Sequence, residues 1–336
     1  MNRHGGIREE GVLDYSVNIN PLGMPQWIPT EMGRLLLEAD TYPPILAENA
    51  VEALALHLKE PKDRLLLGNG ATELLYLFAR AQIPGRVLLV EPTFNEYRRA
   101  FQVAGWDVRH FLREKDTWEL DVDALISHLS EHSPRVLVLC EPNNPTSTMV
   151  EKESMERIQG FCRENNITLF LDESFLDFTG VPLPAHQEGV VRLRSMTKFY
   201  SIAGIRLGYV LADKQCIQEM IAYKEPWSVN TFAQGILPKL LEDEDFRARS
   251  LRYIKEQRDY LFKELSALGL HVPPPKANFL FFRCESEGFH QQMYERGFFL
   301  RSCEDFYSLD NMYFRMCVRT IEDNHSLVQA MKEVLS

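Results

Sequence analysis

The sequence is poor in the features that mark a metal-binding or disulfide-stabilised protein. Its 336 residues include six cysteines, and no two of them form a CxxC pair. Most of these cysteines stand in apolar, strand-like runs, so we expect reduced and buried thiols. Neither a metal site nor a disulfide framework is predicted.

Positive charge is also in the minority. The chain carries 37 Lys and Arg against 48 Asp and Glu, which gives a formal charge of −11 and a pI near 5.4. A nucleic-acid partner would favour a basic surface, so this class of function is not indicated. An anionic substrate remains compatible with the charge, because a few arginines inside one cleft dominate its local field.

Long apolar runs are missing as well. No stretch approaches the roughly 20 apolar residues that a membrane-spanning helix needs. The first ten residues, MNRHGGIREE, lack the apolar core of a signal peptide, so we expect a cytoplasmic protein. We find no repeat, no low-complexity segment and no obvious linker.

The sequence does contain short apolar runs that alternate with helix-length amphipathic segments. The runs are rich in branched residues and lie at 86–90, 135–140, 167–171, 190–194 and 208–211. This pattern predicts βα units and an α/β fold whose mainly parallel sheet is buried on both faces. Apolar residues at helical spacing predict a helix over 48–59.

The length favours one large and one smaller domain. Residues 1–45 are irregular and proline-punctuated, and we interpret them as an arm without regular structure. The predicted large domain spans 46–230. From 231 onward a long charged helix near 246–268, the strand-like runs NFLFF, FFLRSC and FRMCVR, and a closing helix near 322–335 predict a smaller α+β domain.

A lysine with chemical potential stands in the segment SMTKFYSIAGIRLGYV. Lys198 follows the fourth apolar run and is surrounded by small and hydroxyl-bearing residues, including Ser195 and Thr197, with Arg206 eight positions on. Hydroxyls and an arginine grouped in this way suit a phosphate dianion. A lysine beside a phosphate site and able to form an imine is what a pyridoxal-phosphate enzyme needs, although a lone loop lysine is usually a solvated surface residue.

A second phosphate-binding element is predicted in LLLGNGATELL at 65–75. Glycines such as Gly70 let the backbone approach an anion, and the helix that opens at Ala71 and Thr72 offers free N–H donors. A helix start without any ligand would have the same sequence. The GxGxxG pattern is missing, so a dinucleotide site is not indicated.

Three further residues fit the same cofactor. Asp172 ends a wholly apolar strand, where a carboxylate needs a partner such as a protonated pyridine nitrogen; the alternative is a cap for the next turn. Asn144 of PNNPT would reach a ring hydroxyl, or it only forms an Asn-Pro turn. Phe94 would stack on the ring or simply pack in the core. Because parallel strands end at one edge of a sheet, we expect Asn144, Asp172 and Lys198 to meet there.

The motifs GNGATE, PNNPT, LDES and SMTK with GIRLGY occur in this order over essentially the whole chain. Here the sequence resembles the fold-type I pyridoxal-phosphate enzymes, the aspartate aminotransferase superfamily. It is most similar to the histidinol-phosphate aminotransferase branch and, within that branch, to the L-threonine-O-3-phosphate decarboxylases of cobamide biosynthesis. The segments that carry this last similarity are HGG at 4–6, DYSVNINPLGMP at 14–25, PWSVN at 226–230 and LRSCEDFYSLD at 300–310.

The resemblance implies a pyridoxal 5'-phosphate cofactor and a homodimer with shared active sites, to which the N-terminal arm contributes contacts. Lys198 would be the Schiff-base lysine, Asp172 the partner of the pyridine nitrogen, Asn144 the partner of the ring hydroxyl and Phe94 the stacking ring. The cofactor phosphate would be held by Gly70, Ala71, Thr72, Ser195, Thr197 and Arg206, and by Tyr42 of the second subunit.

The resemblance also implies a small phosphorylated amino acid as the substrate. Arg315 would bind its carboxylate with the help of Asn18, and Arg301 and His4 would bind its phosphate. Arg319 either serves the substrate as well or pairs with an acidic residue.

Two departures from the superfamily pattern bear on the activity. Phe175 stands where many aminotransferases have a tyrosine that contacts the ring hydroxyl, whereas the decarboxylase type carries phenylalanine. Ser147 replaces the usual glycine after PNNPT, which puts the geometry of that turn in question. The resemblance thus favours decarboxylation of L-threonine O-3-phosphate to (R)-1-amino-2-propanol O-2-phosphate. L-serine O-phosphate decarboxylation and histidinol-phosphate transamination remain alternatives, and a non-catalytic cofactor binder or a nucleotide binder is less favoured.

Overall fold

The computed structural model describes residues 5–336 as a chain of alternating strands and helices. The strands are β1 (Leu13–Asp14), β2 (Leu65–Gly68), β3 (Arg86–Glu91), β4 (Asp107–Leu112), β5 (Val136–Cys140), β6 (Thr168–Asp172), β7 (Val190–Ser195), β8 (Gly208–Leu211), β9 (Phe279–Arg283), β10 (Phe298–Phe299), β11 (Arg301–Ser302) and β12 (Tyr313–Cys317). The helices are α1 (Ile28–Leu36), α2 (Glu48–Leu58), α3 (Ala71–Ala81), α4 (Glu96–Val103), α5 (Val122–His132), α6 (Lys152–Glu164), α7 (Lys214–Ala222), α8 (Thr231–Glu242), α9 (Glu244–Ala267), α10 (Phe289–Glu295) and α11 (Ile321–Leu335).

A seven-stranded sheet with the order β2-β8-β7-β6-β5-β3-β4 forms the centre of the large part of the chain. The pairs from β4 through β3, β5 and β6 to β7 are parallel, and only β8 runs antiparallel to its neighbours β7 and β2. The predicted α/β fold with a mainly parallel sheet is therefore confirmed. All five apolar runs form strands within one or two residues of the predicted bounds.

Both faces of this sheet are buried, as the continuous apolar runs predict. In β3, Val87 and Leu89 pack with the core formed by α3 and α4, whereas Leu88 and Val90 pack with α5 and α6 on the opposite face. Each fully buried aliphatic side chain contributes about 1.5–3 kcal/mol relative to exposure. The sheet is thus a rigid support whose strand ends hold side chains in fixed positions.

The C-terminal part contains a three-stranded antiparallel sheet with the order β11-β12-β9, flanked by α9, α10 and α11. The run FFLRSC was predicted as one strand, but it divides at the buried Leu300 into β10 and β11, which belong to different sheets. β10 pairs in parallel with β1, so the N-terminal segment adds a strand beside this part of the chain.

The prediction that residues 1–45 lack regular structure was wrong in part. Helix α1 begins with Pro29 in its first turn, where the missing N–H of proline leaves no hydrogen bond unmade. Ile28 and Leu35 lie two turns apart on its buried face, and α1 packs against α8. The prolines that suggest a loop therefore mark a helix start.

The division at residues 46–230 and 231–336 stays a prediction. At this boundary α8 is followed directly by α9, and Asp243 between them accepts a hydrogen bond from the backbone N–H of Phe246. Helix α8 packs against α1 and α2, whereas α9 packs against β9 and α11. Within residues 5–336 no helix is both long enough and apolar enough to cross a bilayer.

Gly208 provides a test of how tightly this support is packed. A Cβ atom at Gly208 would lie 2.7 Å from both the backbone nitrogen of Ala71 and the backbone oxygen of Arg194. We expect Gly208→Ala to destabilise the protein by about 1–3 kcal/mol, because neither backbone atom can give way cheaply. Chemical denaturation followed by circular dichroism measures this loss.

Gly160 in α6 is the matched control, since nothing lies within 4 Å of a Cβ atom placed there. We expect Gly160→Ala to stabilise the protein by about 0.5–1 kcal/mol through helix propensity. A Gly208→Ala protein as stable as wild type would contradict the close approach of β8 to the start of α3.

Candidate active site

The strand ends bring the predicted cofactor residues together at one edge of the central sheet. Asp172 is the last residue of β6, Asn144 follows β5 and Lys198 follows β7, and these three strands are parallel. Arg206 precedes β8, and because β8 is antiparallel its first residue, Gly208, pairs with Ser195 at the end of β7. Arg206, at the start of the antiparallel strand β8, therefore lies at the same edge of the sheet as the ends of the parallel strands.

The start of α3 forms a cradle with Arg206. Gly70 precedes the helix with φ +82°, and a Cβ atom there would lie 2.3 Å from Nη2 of Arg206. The first turn of α3 has no side-chain cap, so its backbone N–H groups are donors for an anion. Glu73 in this turn accepts a hydrogen bond from the backbone N–H of Asn69 and binds Nζ of the buried Lys224 at 2.9 Å, which holds the loop in place.

Two hydroxyl groups stand at the end of β7, where Ser195 pairs with Gly208 beside the start of α3. The Ser195 Oγ and Thr197 Oγ1 atoms are 2.8 Å apart, and both residues are buried. The Arg206 residue itself has φ +65°, a left-handed conformation, and its Nη1 donates to the backbone oxygen of Ala203 at 3.2 Å. Hydroxyls, helix N–H groups and a guanidinium at one point form a donor set for a phosphate.

Asp172 lines the same pocket as Ala71 and Thr72, and its carboxylate is held by neutral donors. The hydroxyl group of Tyr97 donates to Oδ2 at 2.6 Å, and the backbone N–H of Ser174 donates to Oδ1 at 2.8 Å. Sequence reasoning missed Tyr97. A hydrogen bond between residues 75 positions apart leaves no local pattern in the sequence.

Lys198 lines the same pocket and lies beside an aromatic ring. Its Nζ is 4.7 Å from the ring centroid of Phe175, and both residues line the pocket together with Phe94 and Asn144. Burial lowers the pKa of the Lys198 amine, and the positive charges of Arg206 and Arg315 act in the same direction. The negative charge of Asp172 opposes this shift.

The pocket continues to two arginines that face each other across an antiparallel strand pair. Arg301 of β11 and Arg315 of β12 are register partners, and both are buried. Nη2 of Arg301 binds both carboxylate oxygens of Asp305 at 2.8 Å. Asp305 balances one of the two positive charges, and the remaining positive charge of the pair favours an anionic ligand.

Arg315 reaches across to the large part of the chain. Its Nη1 donates to Oδ1 of Asn144 at 2.5 Å, and its Nη2 donates to the backbone oxygen of Ser16 at 2.6 Å. Burial and the nearby charge of Arg301 lower its pKa to about 10, so the guanidinium is charged at neutral pH. The buried Nε of Arg315 and Oδ1 of Asn18 have no hydrogen-bond partner among residues 5–336.

The remaining predicted residues fall in different places. Asn18 lines the pocket beside Arg315, as expected, whereas His4 lies outside the described residues. Arg319 binds Asp323 at 3.0 Å and the backbone oxygen of Asp14, which agrees with its alternative role as an ion-pair partner. Tyr42 is 82% exposed and is not among the residues that line the pocket of its own chain.

Ser147 adopts the conformation of the glycine that it replaces. Its φ is +59°, and the residue is fully buried. The side-chain Oγ accepts hydrogen bonds from the backbone N–H groups of Lys276 at 3.2 Å and Ala277 at 3.0 Å. The serine thus keeps the turn that carries Asn144 and joins it to the segment that leads into β9.

Taken together, the residues present fit pyridoxal 5'-phosphate. The guanidinium of Arg206 can lie against the start of α3 only because Gly70 lacks a side chain. The same pocket is lined by Asp172, whose carboxylate has no cationic hydrogen-bond partner among its observed contacts, and by Lys198, an amine with a lowered pKa. Phe94 is the aromatic side chain beside the space that a ring would occupy.

The fold and this pocket define a fold-type I pyridoxal-phosphate enzyme. The family model described as aminotransferase class I and II matches residues 11–331. The chain belongs to this family, and pyridoxal 5'-phosphate is its cofactor.

Relatives and solved structures agree with this placement. The threonine-phosphate decarboxylase of Salmonella typhimurium is 36% identical over 341 residues, which cover 98% of this chain and 93% of that protein. The histidinol-phosphate aminotransferase of Moorella thermoacetica is 30% identical over 354 residues, covering 100% of this chain and 88% of that protein. The crystal structure of the histidinol-phosphate aminotransferase from Clostridium acetobutylicum superposes with a TM-score of 0.90 at 27% identity, covering 96% of this chain and 99% of that one.

The electrostatics of Lys198 can be tested in the protein without cofactor. We expect the Lys198 amine to react with a small acylating reagent at a lower pH than an exposed lysine does, because burial lowers its pKa. Asp172→Asn removes the charge that raises this pKa, so the titration midpoint should move lower still. Arg315→Met removes a charge that lowers the pKa, so the midpoint should rise.

Competitive labelling followed by mass spectrometry measures these midpoints, with Lys152 on the surface of α6 as the internal reference in each digest. A midpoint that moves upward in Asp172→Asn would contradict the assignment of the charges around Lys198.

Proposed function

We propose that this protein decarboxylates L-threonine O-3-phosphate. The observation that carries the proposal is the pair of buried arginines, Arg301 and Arg315, that opens directly onto the pocket of Lys198. Phosphothreonine carries a carboxylate on Cα and a phosphate on the adjacent carbon. Two neighbouring guanidinium groups complement these two anions.

The size of this part of the pocket supports a small substrate. The cavity has a volume of about 230 Å³ and is lined by the two arginines, Asn18 and the rings of Phe94, Phe175 and Phe306. Phe306 lies under Arg301, with the guanidinium carbon 5.5 Å from the ring centroid. This space suits a metabolite with few carbon atoms and leaves an apolar wall beside its charged groups.

The proposed cofactor roles follow from the positions of the side chains. Lys198 bonds to the cofactor, Asp172 pairs with its pyridine nitrogen, and Asn144 contacts its ring hydroxyl. The first turn of α3 at Ala71 and Thr72, with Gly70, Ser195, Thr197 and Arg206, holds the phosphate. These assignments are supported by the cradle and by the pocket lining described above.

When bound, the cofactor supplies an electron sink conjugated to the amino group of the substrate. Arg315 and Asn18 bind the substrate carboxylate, and Arg301 binds the phosphate from the adjacent strand. Two fixed anions would restrict rotation about Cα, so these side chains would decide which bond of Cα is placed for cleavage. If they place the bond to the carboxylate, carbon dioxide would leave, and Lys198 would donate a proton to Cα. A lowered pKa makes the Lys198 ammonium a stronger acid for this step.

Two observations favour decarboxylation over transamination. The Salmonella relative at 36% identity is a threonine-phosphate decarboxylase. Phe175 also lies against Lys198 and lacks the hydroxyl that many aminotransferases place near the ring hydroxyl. The histidinol-phosphate aminotransferase relatives favour the alternative, transamination. Phosphoserine lacks one methyl group, which an apolar pocket discriminates by only about 1–3 kcal/mol.

The proposal includes a homodimer in which Tyr42 of one subunit binds the cofactor phosphate of the other. The ring of Tyr42 packs against that of Trp227 in a tilted arrangement with centroids 4.8 Å apart, and both side chains are exposed. Leu37 and Ile45 on the same arm are exposed as well. Neighbouring exposed apolar residues of this kind are typical of a protein–protein contact.

A product assay tests the proposed reaction. Purified protein loaded with pyridoxal phosphate is incubated with O-phospho-L-threonine or O-phospho-L-serine, and separately with histidinol phosphate plus 2-oxoglutarate. We expect carbon dioxide from phosphothreonine without any requirement for 2-oxoglutarate. Glutamate formation without carbon dioxide would mean that the protein catalyses transamination instead of decarboxylation. Faster turnover of phosphoserine would mean that phosphoserine, not phosphothreonine, is the preferred substrate.

Lys198→Ala is the control for this assay. We expect the variant to lose both turnover and the absorbance band of the lysine-bound cofactor. Normal turnover by this variant would overturn the assignment of Lys198 and with it the proposed chemistry.

The role of Arg301 generates a separate prediction. Arg301→Gln should lower kcat/KM for phosphothreonine about 10- to 100-fold, because a charged hydrogen bond to phosphate contributes about 1.5–3 kcal/mol. The loss on unphosphorylated threonine should be small. Arg319→Gln is the matched control, since Arg319 binds Asp323 and does not line this pocket. An equal loss on both substrates in Arg301→Gln would refute the phosphate contact.

A further inference from the structure

Tyr97 donates a hydrogen bond to the Asp172 carboxylate, and this contact suggests a role for Tyr97 in cofactor binding. The inference rests on the proposed pairing of Asp172 with the pyridine nitrogen. Each carboxylate oxygen accepts one hydrogen bond: Oδ2 from the Tyr97 hydroxyl at 2.6 Å and Oδ1 from the Ser174 backbone at 2.8 Å. Two donors on different oxygens fix the rotation of the carboxylate about its Cβ–Cγ bond. Each oxygen keeps acceptor capacity for one further donor.

Tyr97 is itself held rigidly. It is 0% exposed and stands in the second position of α4, which packs against α3 and β3. Its backbone N–H donates to the oxygen of Phe94 at 3.1 Å, and the two rings meet edge to face with centroids 5.6 Å apart. The turn that carries the proposed stacking ring therefore also carries the phenol that binds Asp172.

The phenol is a neutral donor. Burial, and then the charge of Asp172, raise the pKa of Tyr97 well above its ordinary value, so the hydroxyl keeps its proton. A hydrogen bond from a neutral group stabilises the carboxylate without cancelling its charge. An arginine in the same place would cancel that charge. The negative charge of Asp172 therefore remains available to a protonated ring nitrogen.

We infer that Tyr97 is a positioning residue that aims the Asp172 carboxylate at the ring nitrogen of the cofactor. Tyr97 lines the cofactor end of the pocket, but it acts through Asp172. Removal of its hydroxyl frees one carboxylate oxygen to rotate and leaves it short of a donor. The pair between Asp172 and the ring nitrogen then weakens.

Binding of two cofactor forms to the protein without cofactor tests this inference independently of turnover. One is pyridoxal 5'-phosphate, and the other is its 1-deaza analogue, in which carbon replaces the ring nitrogen. The ratio of their dissociation constants, measured by absorbance titration, isolates the contribution of the nitrogen. We expect Tyr97→Phe to lower the preference for pyridoxal phosphate about tenfold, the size of one charge-assisted hydrogen bond.

Asp172→Asn and the double variant complete a thermodynamic cycle. Asp172→Asn should abolish the preference, and Tyr97→Phe should then have no further effect on it. Tyr76→Phe is the matched control, because the Tyr76 hydroxyl donates to Oε2 of Glu96 at 2.5 Å outside this pocket. It should leave the preference unchanged.

The possible outcomes distinguish the role of Tyr97 from the pairing of Asp172 with the ring nitrogen, on which that role depends. An unchanged preference in Asp172→Asn would overturn the pairing of Asp172 with the nitrogen and the role of Tyr97 together. Loss of the preference in Asp172→Asn but not in Tyr97→Phe, or equal weakening of both ligands in Tyr97→Phe, would overturn the role of Tyr97 alone. If Tyr97→Phe does not fold, Tyr97→Gln is compared with Tyr97→Met, because glutamine keeps a hydrogen-bond donor and methionine has none. Equal ratios of the two dissociation constants in these variants would also overturn the role of Tyr97.

Discussion

Asp172 and Arg315 bring opposite charges into the same water-poor pocket, and each is held there by neutral groups. Asp172 accepts from a phenol and a backbone N–H, and Arg315 donates to an amide oxygen and a backbone carbonyl. A buried charge without hydrogen bonds is strongly disfavoured, and neutral partners stabilise such a charge without cancelling it. The charges of Asp172 and Arg315 therefore remain uncancelled by these contacts.

The hydrogen bonds of Arg315 to neutral partners also join the C-terminal part of the chain to the central sheet and the arm. Arg315 in β12 contacts Asn144 after β5 and the backbone of Ser16 in the arm. Ser147, in the same turn as Asn144, binds the segment that leads into β9. Arg315 therefore stands in a fixed position relative to the strand ends that hold Asp172 and Lys198.

The sequence predicted the central sheet well because its strands are buried on both faces and thus read as continuous apolar runs. It predicted the meeting of Asn144, Asp172 and Lys198 because parallel strands end at one edge. It did not reveal the antiparallel direction of β8, since the run 208–211 is apolar in either direction. The helix α1 was hidden by its prolines, and Tyr97 was hidden because a hydrogen bond between residues 75 positions apart leaves no local pattern.

Glu173, the neighbour of Asp172, is a buried carboxylate whose charge is balanced by arginines instead of being held by neutral donors. Both residues are buried at the end of β6, but Glu173 binds Nη1 of Arg192 at 2.5 Å and Nη1 of Arg194 at 3.3 Å. Two guanidinium groups more than balance its charge, so Glu173 serves as a structural anchor between β6 and β7. The LDES motif thus places two adjacent carboxylates in one buried turn, and only Asp172 has neutral hydrogen-bond partners, which fits its proposed pairing with the cofactor.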